Sequence, residues 1–374
     1  METRTTAELV GQALAVARVA DEADGWDEHG DEYHALLWRA AADEVGAPPL
    51  GLELLGSGDP VERAAGCELL GRASDQHEAL RAGTATTLVA LAEREREADV
   101  CGALARAIER TYDPRAVPVL IALAGHRDAE VREVVAGSFA GVLTGRPDGP
   151  DIHTLLALTR DTDPQVRNWA TFTLGFQAEV DSPAIRAALW ERTTDEFADA
   201  REEGIRGLAR RHDPRAVPLL VELLDDPDGA VLLTFDAARI MGVPELLPAL
   251  LAYDPDGTGV TAAVHACDPQ RRGLLASRAW ELLVELDRLR PDLGAAVSMN
   301  RFDPELSLDL TAAVGSPGYS VEALLARAGG SPLRAAELAA AQVVTTDVAA
   351  AGPVVPGPER ESVGATPPWP GRLP

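Results

Sequence analysis

The segment DPRAVPVLIAL at 113–123 returns as DPRAVPLLVEL at 213–223, one hundred residues later. A near-copy at that distance is what roughly three units of a helical repeat of about 33 residues would leave behind, and it constrains the fold more tightly than length does. Between and around the two copies runs a second pattern. It reads as an acidic turn, an apolar residue, Arg, two variable residues, a small apolar residue, three variable residues, a large apolar residue and a small one. DPVERAAGCELLG at 59–71, DAEVREVVAGSFA at 128–140 and DPQVRNWATFTLG at 163–175 carry it. Aligned on the Arg, the column is Arg63, Cys101, Arg132, Arg167, Arg201 and Thr234, at intervals of 38, 31, 35, 34 and 33 residues.

Three positions after that column stand Gly66, Leu104, Val135, Ala170, Gly204 and Ala237; seven after stand Leu70, Ile108, Phe139, Leu174, Leu208 and Met241. With the residue before the column these fall at i, i+4 and i+8, one helical face, which is the expected buried seam. Ahead of each such helix lies another apolar stretch of about a dozen residues with Pro in its first turn, where a missing N–H costs little. Pro114 and Pro118, Pro183, Pro214 and Pro218, and Pro244 and Pro248 fit, the second of each pair being placed to bend its helix. The spacing therefore predicts an all-α fold, an α-solenoid of stacked antiparallel helix pairs.

The stretch RNWATFTLG (Arg167, Trp169, Ala170, Thr171, Phe172, Leu174, Gly175), followed by SPAIRAAL and REEGIRGLARRHDPRA, resembles the HEAT-like repeat family, in particular bacterial members carrying R-x-W-A-T-F-x-L-G. The resemblance covers about 59–250 and speaks to the fold, hardly to activity. It implies a ladder in which the turn Asp and the helix Arg pair from repeat to repeat; Asp59 with Arg63, Asp128 with Arg132 and Asp163 with Arg167 match, while Cys101 and Thr234 interrupt it.

Four regions follow. Residues 1–45 hold two expected helices, 7–20 and 31–45, as an N-terminal cap, with an acidic loop between them. Residues 46–252 are the HEAT-like repeats. Residues 253–345 read as divergent repeats or a C-terminal helical cap, covering the apolar face that a last repeat leaves open. Residues 346–374, rich in Pro, Gly and Ala without periodicity, are expected to be a disordered tail.

Of 374 residues, 46% are hydrophobic and 4% aromatic, and the formal net charge is −26. That field repels phosphate, so a generic nucleic-acid or anionic-membrane binder is disfavoured. All 34 basic residues are Arg, as codon bias in a GC-rich bacterial genome would produce, so an Arg here carries less functional weight than usual. Cys67, Cys101 and Cys267 form no C-x-x-C pair, which points to a reduced, cytoplasmic setting and gives no zinc signature. No stretch reads as an export signal or a membrane span. Without Lys there is no phosphate-loop motif, and neither H-E-x-x-H nor G-x-S-x-G occurs. His29 and His34 beside Glu28, Asp31 and Glu32 are better read as a solvated acidic loop than as metal ligands, and DPDGTG at 254–259 as a turn rather than a calcium loop. Neither a catalytic residue nor a cofactor or metal is assigned.

One pattern bears on function. Positions two, five and nine after the Arg column lie opposite the seam and read Ala65, Glu68, Arg72; Ala103, Arg106, Arg110; Val134, Gly137, Gly141; Trp169, Phe172, Phe176; Glu203, Arg206, Arg210; Asp236, Arg239, Val243. Stacked, they make a stripe of six Arg and three acids with an aromatic centre, a local charge near +3. As the concave face of a solenoid this is a candidate partner-binding groove, and Arg and Trp are enriched among interface hot spots. The alternative has Trp169 and Phe172 packing on the first helix of their own pair and the Arg residues forming a solvated face. The leading functional reading is a non-enzymatic scaffold or adaptor that recognises a protein or peptide, a basic one being favoured by charge. The other classes are a nucleic-acid enzyme like the HEAT-like alkylpurine DNA glycosylases, which the stripe keeps open and the net charge opposes, and a chromophore lyase or isomerase of the kind built on similar repeats, for which nothing specific is visible.

Overall fold

The computed structural model describes residues 4–23, 26–226, 230–311 and 318–342; the expected tail at 346–374 lies outside them. Two compact units are distinguished, one of residues 1–273 with 300–304, the other of residues 274–299 with 305–374.

In the first unit the helices come in pairs. The N-terminal pair is α1 (Thr6–Ala23) and α2 (Trp26–Ala41). Then follow α3 (Ala47–Leu55) with α4 (Pro60–Gln76), α5 (Arg81–Ala92) with α6 (Ala98–Glu109), and α7 (Val117–Leu123) with α8 (Ala129–Ser138). Next are α9 (Pro150–Leu158) with α10 (Pro164–Phe172), α11 (Pro183–Arg192) with α12 (Ala198–Arg210), α13 (Ala216–Asp225) with α14 (Leu232–Met241), and α15 (Leu247–Leu250) with α16 (Val260–Cys267). The second members α4, α6, α8, α10, α12, α14 and α16 pack side by side in that order. All six members of the Arg column sit in second helices, and the seam is dry: Leu104, Val135, Ala170, Ile108, Phe139, Leu174 and Leu208 are fully buried. One continuous core runs from Leu55 to Cys267, and a smaller one joins α1 and α2 to α3 and α4. The fold is an α-solenoid.

The turn aspartates do a different job from the expected one. Asp59 accepts from Val61 N at 3.0 Å, Asp128 from Glu130 N at 3.0 Å, and Asp163 from Gln165 N at 2.9 Å, so each caps its own helix. The ladder runs instead to a carboxylate two residues ahead of the next unit's cap position. Arg63 Nε meets Glu95 at 2.8 Å, Arg132 is bidentate on Asp161 at 2.8 Å, and Arg167 is bidentate on Asp195 at 2.9 Å. Each of these carboxylates also accepts the backbone N–H two residues on, at Glu97, Asp163 and Phe197. Where the Arg is missing, at Cys101, the next unit has His126 in place of the carboxylate, and its ring nitrogen accepts Asp128 N at 3.2 Å. Rung and partner are lost together, which avoids a half-buried unpaired charge.

The two copies of DPRAVP fold alike at their entry. Tyr112 and His212, each just before the Asp, adopt left-handed backbone at φ 51° and 47°. Asp113 and Asp213 then accept Arg115 N and Arg215 N at 3.0 and 3.1 Å, and each is paired with the side chain of that Arg. The prolines do not bend these helices: Pro114 opens a short 3₁₀ turn, and Pro118 and Pro218 lie in the first turn of α7 and α13. At the N-terminus, α2 already begins at Trp26, so helix backbone occupies most of what the sequence suggested as an acidic loop.

Helices alone do not account for the later segment. After α17 (Pro269–Leu289) come β1 (Ala295–Asn300), β2 (Asp303–Leu310) and β3 (Gly318–Ser320), a three-stranded sheet in that order, then α18 (Val321–Arg327) and α19 (Pro332–Gln342). β2 and β3 are antiparallel, Leu308 facing Tyr319. The period-two run Leu306-Ser-Leu308-Asp-Leu310 explains the strand, since alternate leucines reach the second unit's core with Leu282, Leu286 and Leu324.

Candidate functional site

The stripe resolves into three parts. At its N-terminal end a single carboxylate gathers three guanidiniums. Glu68 on α4 is 1% exposed and lies 2.7 Å from Arg106 Nε, 3.1 Å from Arg110 Nη1 and 3.2 Å from Arg72 Nη2. Burial alone would raise the Glu68 pKa, but Arg106, Arg110 and Arg72 outweigh it and hold the carboxyl below its ordinary range. Arg72 Nη2 also donates to His34 Nδ1 at 2.8 Å. Burial and the nearby Arg72 depress the His34 pKa, so this imidazole accepts the Arg72 hydrogen bond in its neutral form.

The centre is aromatic. Trp169 is 40% exposed, and its ring lies over Gly137 of α8, where an added Cβ would come within 3.3 Å of it. Trp169 thus packs on the neighbouring second helix and keeps an open face. It meets Phe172 edge-on at 5.7 Å, and Phe172 stacks on Phe176 at 5.7 Å. The chain reaches Phe176 through a π-helical turn at Thr173–Gln177.

At the C-terminal end the charges are turned inward. Arg206 lies over the Phe176 ring at 3.5 Å, and its Nε pairs with Asp236 at 2.8 Å and its Nη1 with Glu203 at 3.4 Å. Arg210 covers the same ring at 4.3 Å. Arg239 bridges Asp236 at 3.0 Å and Asp303 at 3.2 Å. Glu203, Arg206 and Arg210 are buried; burial raises the Glu203 pKa and lowers that of Arg210. Among the stripe's arginines, then, Arg106, Arg110 and Arg239 retain partly exposed side chains, while Arg72, Arg206 and Arg210 serve internal packing.

Sequence reasoning missed the residues that complete these clusters. Arg211, 3% exposed, donates to the carbonyls of Leu174, Gly175, Ala178, Val180 and Gly207 at 2.8–3.2 Å, tying off the end of the π turn. Phe302 and Asp303 join the stripe from more than sixty residues away, with no local signal. His34 was legible only as a surface residue.

Beside the Glu68 cluster opens a pocket of about 440 Å³ between α4, α6 and α8, closed at one end by Ala17, Tyr33 and His34. It is lined by the apolar Val61, Ala64, Ala103, Val131 and Val134, by Gly102 and Arg106, and by the carboxylates of Glu68, Asp99, Asp128 and Glu130. Among the described residues no group of His, Cys, Asp and Glu is arranged to hold a metal, and no helix is long and apolar enough to cross a membrane. The three cysteines are buried and unpaired, and burial raises each thiol pKa.

Comparison with known proteins agrees with the fold. Residues 152–238 match a family model described as HEAT repeats. Protein YibA of Escherichia coli K12 and of E. coli O157:H7 are each 29% identical over 145 residues, 37% of this chain and 48% of theirs. The chain thus spans about half the length of the curated relatives it matches. The X-ray structure of E. coli YibA aligns at TM-score 0.50 and 22% identity over 71% of this chain and 97% of that one, a likeness of fold. The complex of CpcE and CpcF of phycocyanin lyase from Nostoc sp. PCC7120 aligns at TM-score 0.40 and 20% identity over 62% of this chain and 87% of that one, too slight a likeness to carry function. Residues 152–238 thus read as HEAT repeats in sequence as well as in their helix pairs.

Proposed function

We propose that this HEAT-like repeat protein is a non-enzymatic scaffold that recognises a protein or peptide through the face formed by its second helices. The observation that carries the reading is the pocket of about 440 Å³ between α4, α6 and α8, continued along the same helix row by the open face of Trp169. A concave apolar floor with a few polar groups and an adjoining exposed aromatic is the composition of a recognition surface. Glu68, Arg72 and Glu203, whose ionisation is shifted on this face, engage their own neighbours instead of converging on a reacting position, which favours binding over catalysis. Asp99, Asp128 and Glu130 at the pocket, within a chain of net charge −26, favour a partner bearing basic residues. Burial of half the stripe's arginines leaves too few cations for a phosphate backbone, which counts against a DNA enzyme. Buried free thiols suit a reducing, cytoplasmic compartment.

The test is affinity capture from native lysate with wild type beside a Trp169→Ala/Arg106→Ala variant shown by circular dichroism to be folded. A photo-crosslinker placed at Val134 marks which protein touches the pocket. The expected result is a partner crosslinked at Val134 and lost from the variant. Equal recovery of every protein by both chains refutes the assignment of this face.

A further inference from the structure

We infer that the second-helix face carries, near the C-terminal ends of α10 and α12, a preformed seat for a peptide turn with a basic, an aromatic and an acidic residue in succession. In this chain the turn Asn300–Pro304 fills the seat, and a partner protein presenting the same pattern takes its place. The inference rests on the scaffold reading above and names what the partner presents. Asn300–Pro304 belongs to the first unit, although the residues on either side of it do not. Phe302 N–H donates to Asn300 Oδ1 at 2.8 Å, which closes the turn on itself. Its side chains then make the contacts. Phe302 is 5% exposed, with the guanidiniums of Arg210 and Arg211 lying 5.8 and 5.6 Å from its ring centre. Arg301 Nη2 donates to Asp181 at 2.6 Å, Asn300 Nδ2 to Glu179 at 3.1 Å, and Arg239 Nη1 to Asp303 at 3.2 Å.

The seat stands without its occupant. Asp181 has Arg186 at 2.7 Å, and Arg239 has Asp236 at 3.0 Å. Arg210 rests on the Phe176 ring, and Arg211 is tied to the carbonyls of Leu174 and Gly175. Taking the turn away therefore leaves Asp181 and Arg239 paired and both ring-facing arginines supported from within, so no buried charge is stranded. Groups organised in advance cost little to order on binding, and they can accept the same pattern from another chain. The turn's own hold is exchangeable. Its ion pairs are open to water, with the Arg301 side chain 65% and that of Asp303 43% exposed, and such pairs contribute little. Phe302 is left as the main anchor, one aromatic side chain that a competing one can match. Phe176 joins the seat to the open face of Trp169 through Phe172, so a partner lying along that face reaches it.

The test uses the full chain and a fluorescent peptide carrying residues 298–305, followed by anisotropy. The Arg301→Ala/Phe302→Ala chain, its seat emptied, should bind the peptide saturably and at least about tenfold more tightly than wild type, whose own turn competes at high effective concentration. The Phe302→Ala form of the peptide should bind that chain at least about tenfold more weakly. Arg301→Ala alone alters only an exposed side chain and keeps the test open should the double variant fail to fold; it should gain about threefold over wild type. Equal binding by wild type and the emptied chain, binding by neither, or equal binding of the two peptides overturns the inference, as does Arg301→Ala matching wild type where it stands alone. Sedimentation at rising concentration separates a foreign partner from a second copy: dimerisation abolished by Phe302→Ala assigns the seat to a second copy and overturns the partner assignment. In native lysate the emptied chain should recover more of the partner crosslinked at Val134. A partner crosslinked equally in both chains, with no peptide bound, removes this inference and leaves the scaffold reading standing; peptide binding with no partner at Val134 does the reverse.

Discussion

Replacing Glu68 with Gln should be among the most costly isosteric changes in the chain. The substitution keeps the shape and one acceptor oxygen but leaves Arg72, Arg106 and Arg110 around a neutral group, converting an excess of two charges into three. Arg106 and Arg110 can turn toward water; Arg72, with a side chain 10% exposed, cannot. Removing one partner of a buried ion pair costs about 3–5 kcal/mol, and with two of the three guanidiniums able to rehydrate we expect the lower end, about 3 kcal/mol. A repeat array need not unfold in one step, so the reading should be local: hydrogen exchange of α2, α4 and α6 in wild type and variant, beside a urea melt. Adding Arg72→Met should restore about 1 kcal/mol or more, because it removes the charge that cannot rehydrate. The effect should also depend on pH. The folded Glu68 pKa lies below the ordinary 4.5, so its stabilisation is present above that value and lost as pH falls through the depressed one. Wild type and Glu68→Gln should therefore converge in acid. A loss under about 1 kcal/mol at neutral pH, or no recovery in the double variant, would refute uncompensated charge as the cause.

Four further outcomes are expected. Arg211→Met removes the donor to four carbonyls at the π turn and its exit and to a fifth, Gly207, on α12, and should cost about 3 kcal/mol or more, read as loss of exchange protection over residues 173–181. Asp213, held by Arg215 down to about 2 from an ordinary 3.8, contributes about 2 kcal/mol above pH 4 that disappears as pH falls toward 2. Asp213→Asn should lose that amount at pH 7 and match wild type in acid melts. Gly71→Ala places a Cβ 2.7 Å from the Ala107 Cα, so the helix-propensity gain should be overridden by about 1–3 kcal/mol of overpacking. Gly83→Ala on α5 meets nothing within 4 Å and should raise stability by up to about 1 kcal/mol in the same denaturant assay.

The repeat column predicted the helix pairs because a seam residue recurs wherever a second helix must bury one face, and that periodicity is written locally. Arg63, Arg132 and Arg167 could be picked out the same way. Their acceptors could not, because Glu95, Asp161 and Asp195 lie 28 to 32 residues away and only stacking brings them to the guanidinium. The strand at Asp303–Leu310 was legible in its alternating leucines, but short apolar alternation competes poorly with a long helical context.

The candidate face divides along the same line. Opposite-seam spacing alone determined that Arg72, Arg106, Arg110, Trp169, Phe172, Phe176, Glu203, Arg206, Arg210, Asp236 and Arg239 would share one row, since helical angle is a local property. Which of them meet solvent was decided only by the packed structure. Burial depends on what neighbouring helices bring: Glu68 and His34 draw in Arg72, Phe176 lies under Arg206 and Arg210, and Gly137 leaves room for Trp169. A charge count along the chain sees a basic stripe, whereas three-dimensional pairing leaves a basic end at Arg106 and Arg110, an open aromatic centre, and a C-terminal end whose charges are largely neutralised from within.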